Sequence, residues 1–497
     1  MGSASGDADV IVVGGGIAGL GAAVRLKDRG LEPLVLEAEA RVGGRMTTDR
    51  VNGFVIDRGV TLFGNGFASM RALVRRLELS PLVRAGKFGV GIQDSAGCRG
   101  YRGGRFEDLL LDRGISLRAR IACLRFGWDL LRHHRALRHG HSHLSSALDN
   151  EDSQTYFRRI GGEELFERVF RPGLNGPIGG SMETSSRVIP MQVTWNLLVR
   201  GQWNLTDGVD RIPETAVAQV RVLTGARVLH VEQRESGAQV EAEIQGKPRI
   251  FRTRAVIFAT PGHRVPALCP GLPPDMRETL SRTQYSRVAN VAVALSKPPN
   301  TPYAGYAFTQ DVVPGAEIEM EHLRAPNRCP EGTGMTSVFL WNTPEKLRLD
   351  ADDESLKQQA ADIVEQNFPE CRGKVLFVHL IRWNIGIAQF PSGRLREMSA
   401  LRKRLRRGSR RLISAGITST VFRAKEPCAP GKRPQNVWQT DWRTDKIIKF
   451  PGEGGNGRCP GNCVYGVLQG VAFDEDTDCQ MGEQHGRANS QDCGGRG

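Results

Sequence analysis

The residues best suited to chemistry lie near the start of the chain, where three glycines recur at a fixed spacing. Gly14, Gly16 and Gly19 form the pattern Gly-x-Gly-x-x-Gly. In a turn between a strand and a helix, the first glycine permits the tight turn and the second lets the backbone approach a diphosphate. The third lets the helix pack on the strand. The spacing therefore predicts a site for the diphosphate of a dinucleotide.

The predicted elements on either side would hold this turn in place. An apolar run at residues 10–13 has the composition of a buried parallel strand, and a helical pattern follows as far as residue 30. The first residues of that helix, Ile17 and Ala18, would offer free N–H groups and a partial positive charge to the phosphates. Together they predict the first half of a Rossmann-type βαβ unit.

An acidic residue stands where a dinucleotide site needs one. A second strand is predicted at residues 33–36, and Glu37 follows it, 23 residues after Gly14. At this distance a carboxylate can accept hydrogen bonds from ribose hydroxyls. We place Ala38, the next residue, in the same cofactor site.

A second glycine-rich segment, Gly43-Gly44-Arg45, precedes the motif Asp-Arg-Gly-Val that ends at Gly59 and Val60. With the glycine turn, these motifs resemble the flavin amine oxidase superfamily, which includes protoporphyrinogen oxidases, monoamine and polyamine oxidases, and carotenoid-type desaturases. The resemblance implies FAD as the cofactor, with the Gly-Gly-Arg segment wrapped around its diphosphate and leading beneath the isoalloxazine. A guanidinium beside a phosphate suits this role.

A later segment, residues 225–261, resembles the second FAD-binding part of the superfamily. It alternates apolar and polar residues as hairpin strands do and ends in a buried run at residues 255–259. The resemblance implies that Val228 meets the adenine through its backbone. No second glycine triplet lies between a predicted strand and helix, so we expect oxygen or a quinone, and no NADPH domain, to take up the electrons.

The expected third FAD-binding part resembles the superfamily as far as Gly416, and the resemblance ends there. Members of the superfamily continue from Ala-Gly into Asp-Tyr and then Glu-Gly-Ala-x-x-Ser-Gly, but this chain reads Ile-Thr-Ser-Thr. Inserting one G near codon 416 permits a reading frame that restores both motifs in order. We therefore predict that residues 417–497 are translated out of frame and form a disordered tail; the alternative is a divergent, Cys-rich tail.

The sequence thus predicts an α/β fold in which a Rossmann-type, glutathione-reductase-like FAD-binding domain is interleaved with an α+β substrate domain. The predicted FAD-binding segments are 8–75, 206–265 and 386–416. The predicted substrate-domain segments are 76–205, which includes a helical lobe, and 266–385.

Charge and hydropathy limit the partners. Lys and Arg exceed Asp and Glu to give a net charge of +14. The basic helical segment 116–146 predicts either a solvated lobe helix, which we favour, or a membrane-facing amphipathic helix. The basic run 394–411 predicts an exposed helix and no nucleic-acid site. With no signal segment and no apolar run near ~20 residues, we expect a cytoplasmic protein, with peripheral membrane contact as the alternative.

Two clusters of metal-binding residue types were weighed, and we predict no metal site. The histidines alternate on a polar stretch: His139, His141 and His143. The cysteines of the tail match no structural zinc spacing: Cys459, Cys463, Cys479 and Cys493.

The sequence names no catalytic residue. The resemblance implies that amine oxidases hold a water near flavin N5 with a lysine, and Asn290 takes that place here, while Lys297 lies further along at a turn. We therefore predict hydride transfer to flavin N5 from a large, mostly apolar substrate, with protoporphyrinogen-type oxidation leading. The alternatives are isoprenoid desaturation, amine oxidation or an inactive remnant. Four residues would line the substrate cavity or simply pack in a core: Phe166, Phe170, Pro172 and Met191.

Overall fold

The structure of the protein is a computed structural model. It describes residues 7–86, 88–103, 105–138, 142–180, 182–234, 237–325, 327–343, 348–408, 420–423 and 464–467.

The strands, in chain order, are β1 (Ala8–Val13), β2 (Pro33–Leu36), β3 (Thr48–Val51), β4 (Phe54–Asp57), β5 (Phe63–Gly64), β6 (Val83–Gly86), β7 (Val90–Asp94), β8 (Gly97–Tyr101), β9 (Gln202–Leu205), β10 (Arg221–Leu223), β11 (Ala226–Arg234), β12 (Gly237–Ile244), β13 (Lys247–Phe258), β14 (Val288–Leu295), β15 (Gly305–Phe308), β16 (Ala316–Met320), β17 (Gly334–Leu340), β18 (Val375–Trp383), β19 (Thr420–Arg423) and β20 (Val464–Val467).

The α-helices are α1 (Ile17–Lys27), α2 (Ala68–Arg76), α3 (Glu107–Leu111), α4 (Leu117–Leu137), α5 (Ser142–Ser145), α6 (Ser153–Leu165), α7 (Arg171–Asn175), α8 (Val188–Val193), α9 (Arg211–Val217), α10 (Val265–Leu268), α11 (Pro274–Ser281), α12 (Glu321–Arg324), α13 (Asp353–Asn367) and α14 (Arg394–Gly408).

The first sheet, here called the nucleotide sheet, has the order β10-β2-β1-β13-β12-β11. Its parallel strands are buried on both faces, as their continuous apolar runs predict. Val10 and Val12 of β1 pack on the side of α1, while Ile11 and Val13 pack on the opposite side with α11. Residues 8–36 and 221–258 thus build one sheet, although nearly 200 residues separate them in the chain.

The second sheet has the order β18-β14-β17-β16-β15-β7-β8 and is here called the substrate sheet. One of its faces is covered by α13, whose Leu356, Ala360 and Val364 pack against alternate residues of the strands, such as Val291 and Val338. Every residue of β14 is buried. The opposite face of this sheet is turned toward the segment that carries the Asp-Arg-Gly-Val motif.

A helical lobe and small sheets connect these two parts. Helices α4 and α6 pack together in the lobe core, which contains Phe126, Phe157 and Leu165. The three-stranded sheet β5-β9-β6 and the hairpin β3–β4 lie between the large sheets. The chain therefore passes between the two large sheets several times.

This architecture is the interleaved α/β fold that the sequence predicts. The predicted division of the chain at residue 265 stays a prediction, and one detail bears on it. Met276 and Leu280 of α11, beyond that boundary, pack in the core of the nucleotide sheet. Leu401 of the basic helix α14 packs in the same core, so this helix buries one face while its arginines account for the charge run.

The tail is described at only eight residues, in strands that the tail prediction did not include. Strand β20 pairs in parallel with β13 from Ala255 to Phe258, and β19 pairs with β20. Beyond Thr253, β13 has no partner in β12, so this stretch offers an open edge that a β-prone segment can fill. The rest of the tail, and with it the out-of-frame hypothesis, lies outside the described residues.

Candidate functional site

In the glycine turn, each glycine has the steric role that its position in the motif predicts. Gly14 has a φ of +110°, and a Cβ there would lie 2.8 Å from the carbonyl oxygen of Ala259. A Cβ on Gly19 would lie 2.0 Å from the carbonyl oxygen of Gly14, so only glycine lets α1 approach β1 this closely. At Gly16 a Cβ would meet no atom within 4 Å, which leaves open space beside the backbone.

The start of α1 borders that open space. Gly16 is the N-cap residue, and no described side chain caps the helix there. The first-turn N–H groups, including those of Ile17 and Ala18, have no acceptor within the helix, because the first i→i−4 bond is donated by Leu20 to Gly16 at 3.0 Å. A diphosphate would satisfy these donors and interact favourably with the helix dipole, so the residues present fit the group.

The Gly-Gly-Arg segment lies against the glycine turn. The N–H of Gly43 donates to the carbonyl of Gly15 at 2.9 Å, and Gly43 forms a parallel bridge with Gly16. A Cβ on Gly44 would lie 3.5 Å from the Cα of Gly16. Both Gly43 and Gly44 have positive φ, +99° and +56°. The two glycine-rich segments therefore form the two sides of one groove.

Glu37 closes the end of this groove beside β11. One carboxylate oxygen accepts from the Gly15 N–H at 2.5 Å and the other from the Glu39 N–H at 2.9 Å. The Glu37 carbonyl accepts from the N–H of Ala226 at 2.8 Å. Each carboxylate oxygen has a second lone pair, so Glu37 keeps acceptor capacity for ribose hydroxyls.

Two further predicted cofactor residues lie near Glu37. Ala38 follows it and is partly buried. Val228, on β11, is 8% exposed, and the pairing of β11 with β12 shifts its register between Val228 and His230. The structure thus brings Val228 to within two residues of the contact between Ala226 and Glu37.

Arg45 extends from the groove into the interior of the protein. Its guanidinium donates to the carbonyl of Gly386 and lies 5.9 Å from the centre of the Tyr285 ring. Burial lowers the pKa of Arg45. In this structure the side chain joins the glycine-rich segment to the loop after β18, and the predicted contact of Arg45 with phosphate stays a prediction.

The Asp-Arg-Gly-Val motif packs directly against Arg45, the last residue of the Gly-Gly-Arg segment. The N–H of Val60 donates to the carbonyl of Arg45 at 3.2 Å, and a Cβ on Gly59 would lie 2.6 Å from the same oxygen. The indole N–H of Trp383 donates to the carbonyl of Arg58 at 2.8 Å. The motif is therefore held between the groove and the substrate sheet.

Asn290 approaches this motif from the substrate sheet. It is fully buried, and its amide nitrogen donates to the carbonyl of Asp57 at 2.8 Å and more weakly to that of Arg58 at 3.4 Å. Its Oδ1 is buried and accepts no hydrogen bond from the described residues. Lys297 is exposed, as the sequence predicts. Asn290 thus presents one unsatisfied acceptor near the expected place of the flavin ring.

Strand pairing defines a row of side chains across this face of the substrate sheet. The row runs from β14 across β17 and β16 to β15. Its members, each paired with the next, are Asn290, Phe339, Glu317 and Ala307. Neighbouring strands lie about 4.8 Å apart, so Glu317 stands roughly 10 Å from Asn290 along the row. The row is mostly apolar, with one carboxyl group at its centre.

Glu317 and its neighbours make this part of the face acidic. Burial and, to a smaller extent, the nearby Glu319 raise the pKa of Glu317 to about 8 against the opposing effect of Arg324. Glu319 forms an ion pair with Arg324. Gly176 of the lobe leaves room for the Glu317 carboxylate, since a Cβ there would lie 1.8 Å from it.

A second buried charge cluster lies behind the Asp-Arg-Gly-Val motif. Arg328 donates to Asp57 at 2.5 Å, with both side chains fully buried, and lies 3.7 Å from Glu321. Burial raises the pKa of Asp57 and of Glu321, the latter to about 7, while Arg328 opposes both shifts. Ser337 donates to Glu321 at 2.9 Å.

The sequence carries a signal for two of these acids. Glu317 and Glu319 alternate in β16 with the apolar residues Ala316, Ile318 and Met320, and Glu321 follows as the first residue of α12. Such alternation places acids on one face of a strand, and the hydrophobic neighbours indicate that this face is not simply solvent-exposed. This pattern was the available signal.

The other residues singled out from the sequence fall elsewhere. Phe166, Phe170 and Met191 are at most 4% exposed in the lobe core, and Pro172 is buried at the start of α7, so core packing accounts for them. The remaining positions lie outside the described residues or have undescribed side chains: Gly416, His139, His141, His143, Cys459, Cys463, Cys479 and Cys493.

A dinucleotide-type groove beside a second large sheet is the arrangement of an FAD-dependent oxidoreductase of the interleaved class. Residues 17–418 match the family described as flavin containing amine oxidoreductase, and the chain belongs to that family. FAD is therefore its cofactor, as predicted, and the protein is by family an FAD-dependent oxidoreductase.

Relatives with different substrates resemble the chain. It is 27% identical over 323 residues to a provisionally named flavin-containing monoamine oxidase of Mycobacterium tuberculosis, covering 61% of this chain and 68% of the relative. Among solved structures, cyclohexylamine oxidase from Brevibacterium oxydans matches with a TM-score of 0.63 at 18% identity, covering 80% of this chain and 90% of that one.

A provisionally named protoporphyrinogen oxidase from Exiguobacterium is also similar. It matches with a TM-score of 0.61 at 19% identity and covers 80% of this chain and 91% of its own. These structural matches show the shared fold and do not identify a substrate. Within the described part of the chain, no helix is both long and apolar enough to cross a membrane.

Proposed function

We propose that the protein dehydrogenates a large, mostly apolar substrate bound against the substrate sheet, with protoporphyrinogen-type oxidation as the leading activity. FAD would lie in the groove between the glycine turn and Gly43-Gly44-Arg45, with Glu37 at the ribose. When bound there, FAD supplies an acceptor for the hydride that leaves a substrate C–H bond. The chain itself binds, orients and desolvates the donor.

The environment of Asn290 carries this proposal. The resemblance implies a lysine at this place in amine oxidases, where it holds a water. In this chain a neutral amide stands there, and its N–H groups are occupied by the main chain at Asp57 and Arg58. A side chain fixed in this way provides no base, so the reacting C–H bond must be activated within the substrate, as conjugation does in protoporphyrinogen.

Apolar side chains around Asn290 support a desolvated site. Phe339 lies beside Asn290 in the cross-strand row, and Ile381, 3% exposed, pairs with Asn290 from the other side. Ala292 and Met335 lie on the same face and pack there with Phe54 and Ile56 of β4. This packing keeps water away from the surroundings of Asn290.

The electron acceptor and the cellular setting belong to the same proposal. Only one glycine triplet of the dinucleotide type is found between a strand and a helix in the described residues, which supports oxygen or a quinone as the final acceptor over NADP. We propose a cytoplasmic enzyme.

The direct test is reduction of the bound cofactor in the absence of oxygen. The purified full chain is loaded with FAD and mixed with protoporphyrinogen IX, with phytoene, or with cyclohexylamine and putrescine, while absorbance near ~450 nm is followed. We expect bleaching by protoporphyrinogen and none by the amines. Bleaching by phytoene alone would establish the desaturase alternative, and no reduction by any donor would contradict the proposal.

Failure to bind FAD at all has a separate meaning. If the full chain gives no band near ~450 nm while a chain with the restored reading frame does, then the protein is the inactive remnant of such an enzyme. The comparison of the two chains distinguishes a lost cofactor site from a wrong substrate.

One observation favours amine oxidation as the second candidate. Glu317 stands in the cross-strand row with Asn290, and the two carboxyl groups of Glu317 and Glu319 share one nearby cation, Arg324. A buried excess of carboxyl groups is relieved by protonation or by a cationic ligand. Under this candidate Glu317 would bind the cationic end of an amine, and Glu317→Gln would raise the KM for putrescine at least about tenfold with little change in kcat.

A further inference from the structure

The outward face of α4 carries an apolar stripe that no described residue covers. Five large side chains follow one another at intervals of four and three residues and are each more than half exposed: Leu117, Ile121, Leu124, Trp128 and Leu131. Residues at this spacing lie on one side of a helix. The stripe extends over about 21 Å of a helix that is about 30 Å long.

This stripe is separate from the face that α4 needs for folding. Ala119, Cys123, Phe126 and Leu130 point the other way and pack in the lobe core. The helix is therefore apolar on two opposite sides, and only one of them is buried within the protein. A surface helix of a soluble domain normally needs one apolar side.

Neighbouring residues enlarge the apolar surface. Phe106 lies beside Gly127 of α4, where a Cβ would come within 3.3 Å of the phenyl ring, and Leu111 at the end of α3 is 70% exposed. Half of the large apolar side chains that are exposed in the described residues lie between residues 106 and 131. A concentration of this kind marks an interaction surface.

The charges around the stripe select an anionic partner. Three exposed arginines stand seven residues apart along one edge: Arg118, Arg125 and Arg132. Arg120 lies on the other edge. The only acid of the helix, Asp129, accepts a hydrogen bond from Tyr156 at 2.8 Å and is thus engaged with the lobe.

The same charges disfavour pairing of α4 with a second copy of itself. In a coiled coil built on this stripe, Arg118, Arg125 and Arg132 would occupy one flanking position in each heptad, and Arg120 the other. Antiparallel and parallel pairing would both bring arginine to face arginine, glycine or histidine, with no acid to compensate. Flanking positions of stable coiled coils carry opposite charges.

We propose that α4 docks the protein on the surface of an anionic lipid bilayer. The helix lies in the plane of the interface, the stripe enters the boundary between headgroups and acyl chains, and the arginine edge contacts lipid phosphates. Trp128, at the middle of the stripe, suits this boundary because its ring is apolar and its N–H is polar. The proposal does not depend on which substrate the enzyme oxidises.

The test is flotation of the full chain with vesicles. We expect it to float with vesicles of phosphatidylcholine and phosphatidylglycerol and to bind at least about tenfold more weakly to phosphatidylcholine alone, with binding reduced by salt. The double variant Leu124→Glu, Trp128→Glu is expected to lose at least about tenfold in binding. The matched control is Ile250→Glu, Leu376→Glu, which changes equally exposed apolar residues elsewhere and is expected to bind like the native chain.

A charge variant keeps the stripe intact and so tests the second half of the proposal. Arg118→Gln, Arg125→Gln, Arg132→Gln is expected to lose about fivefold for each arginine removed, on anionic vesicles only. Arg249→Gln, Arg277→Gln, Arg372→Gln lowers the net charge equally and is expected to change binding little. Circular dichroism confirms that each variant is folded.

Three results would overturn the proposal. The native chain could fail to float with anionic vesicles, or the Glu variant could float as well as the native chain. Light scattering could instead show a dimer that Leu124→Glu, Trp128→Glu converts to a monomer, which would assign the stripe to a second copy.

Discussion

The two large sheets carry their chemistry in different places. In the nucleotide sheet the groove is made by backbone at the carboxyl ends of strands, where Gly14, Gly16 and Gly43 leave room and expose N–H groups. In the substrate sheet the candidate site is made by side chains on a face, where Asn290 and Glu317 share one row. Backbone sites require glycine at fixed positions, whereas a side-chain site can be built from many residue types.

This difference explains why FAD is established for the chain and the substrate is not. A glycine turn constrains the sequence because any Cβ at Gly19 collides with the main chain. On the face of the substrate sheet, residues need only fit the buried space, so one side chain can replace another without a change of fold. The same sheet can therefore serve relatives that oxidise different molecules.

The largest expected effect comes from the ion pair that ties the two regions together. Arg328 lies beside the substrate sheet and binds Asp57 of the Asp-Arg-Gly-Val motif, and it also donates to the carbonyl of Leu205 at 2.9 Å. Arg328→Met would leave the Asp57 carboxyl buried without its partner, so we expect the free energy of unfolding to fall by about 3–5 kcal/mol. Urea denaturation followed by circular dichroism measures it.

Arg287→Met is the matched control for that change, because Arg287 pairs with Asp350 on the surface. Its removal is expected to cost less than about 1 kcal/mol. Equal effects of the two variants would show that the buried pair does not hold the regions together.

The next prediction separates folding from binding within the glycine turn. Gly19→Ala places a Cβ against the main chain of Gly14, and we expect a loss of about 1–3 kcal/mol in the free energy of unfolding. Gly16→Ala places its Cβ in open space, so apo stability should stay within about 0.5 kcal/mol while FAD binds more weakly. Thermal unfolding and titration of flavin fluorescence measure the two quantities; a Gly16→Ala protein that binds FAD normally would place the diphosphate elsewhere.

A smaller effect is expected on the substrate face. Asn290→Ala removes the amide that donates to the carbonyls of Asp57 and Arg58, and a buried acceptor without a donor costs about 1–2 kcal/mol. If Asn290 only supports the motif, the free energy of unfolding changes and the rate of flavin reduction does not. If its free Oδ1 also positions the cofactor or substrate, the rate of anaerobic flavin reduction should fall more than stability does, with Thr336→Ala on the opposite face of the sheet as the control.

A pH dependence of stability is also expected from Glu317. Its folded pKa of about 8 lies above the usual value of 4.5, so the folded protein holds a proton that the unfolded chain has lost between these two pH values. Stability contributed at this site is therefore highest below pH 4.5 and declines as the pH rises to about 8. Glu317→Gln should remove this decline, as measured by denaturation at pH 5 and pH 8. Parallel curves for the two proteins would refute it.

The sequence predicted the nucleotide region closely because local spacing determines it. Gly14, Gly16 and Gly19 each show the steric role that their positions imply, and Glu37 lies in reach of the same turn. Arg45 illustrates the limit, since a long side chain can follow several directions and its interior contact with Gly386 depends on a loop far along the chain. No local pattern contains that information.

The substrate region could be predicted only in outline. The assignment of Asn290 to the lysine position of amine oxidases stays a prediction, and its bonds to the motif arise from contacts across more than 230 residues of the chain. Glu317 could not be identified from its strand alone, because the alternation of Glu317 and Glu319 with apolar residues shows that they share a face but not which residues cover it. The strand β20 beside β13 also arises from a long-range edge, and a composition-based reading of the tail does not detect such an edge.

The interleaved order of the chain has a consequence for how the protein is made. Strand β1 leaves the ribosome well before its partner β13, which is reached 245 residues later, since Ala8 pairs with Thr253. At about 5–20 residues per second, the apolar strand waits roughly 12–50 s for that neighbour. Chaperone capture of the nascent chain during this interval would protect a surface that the finished protein never exposes.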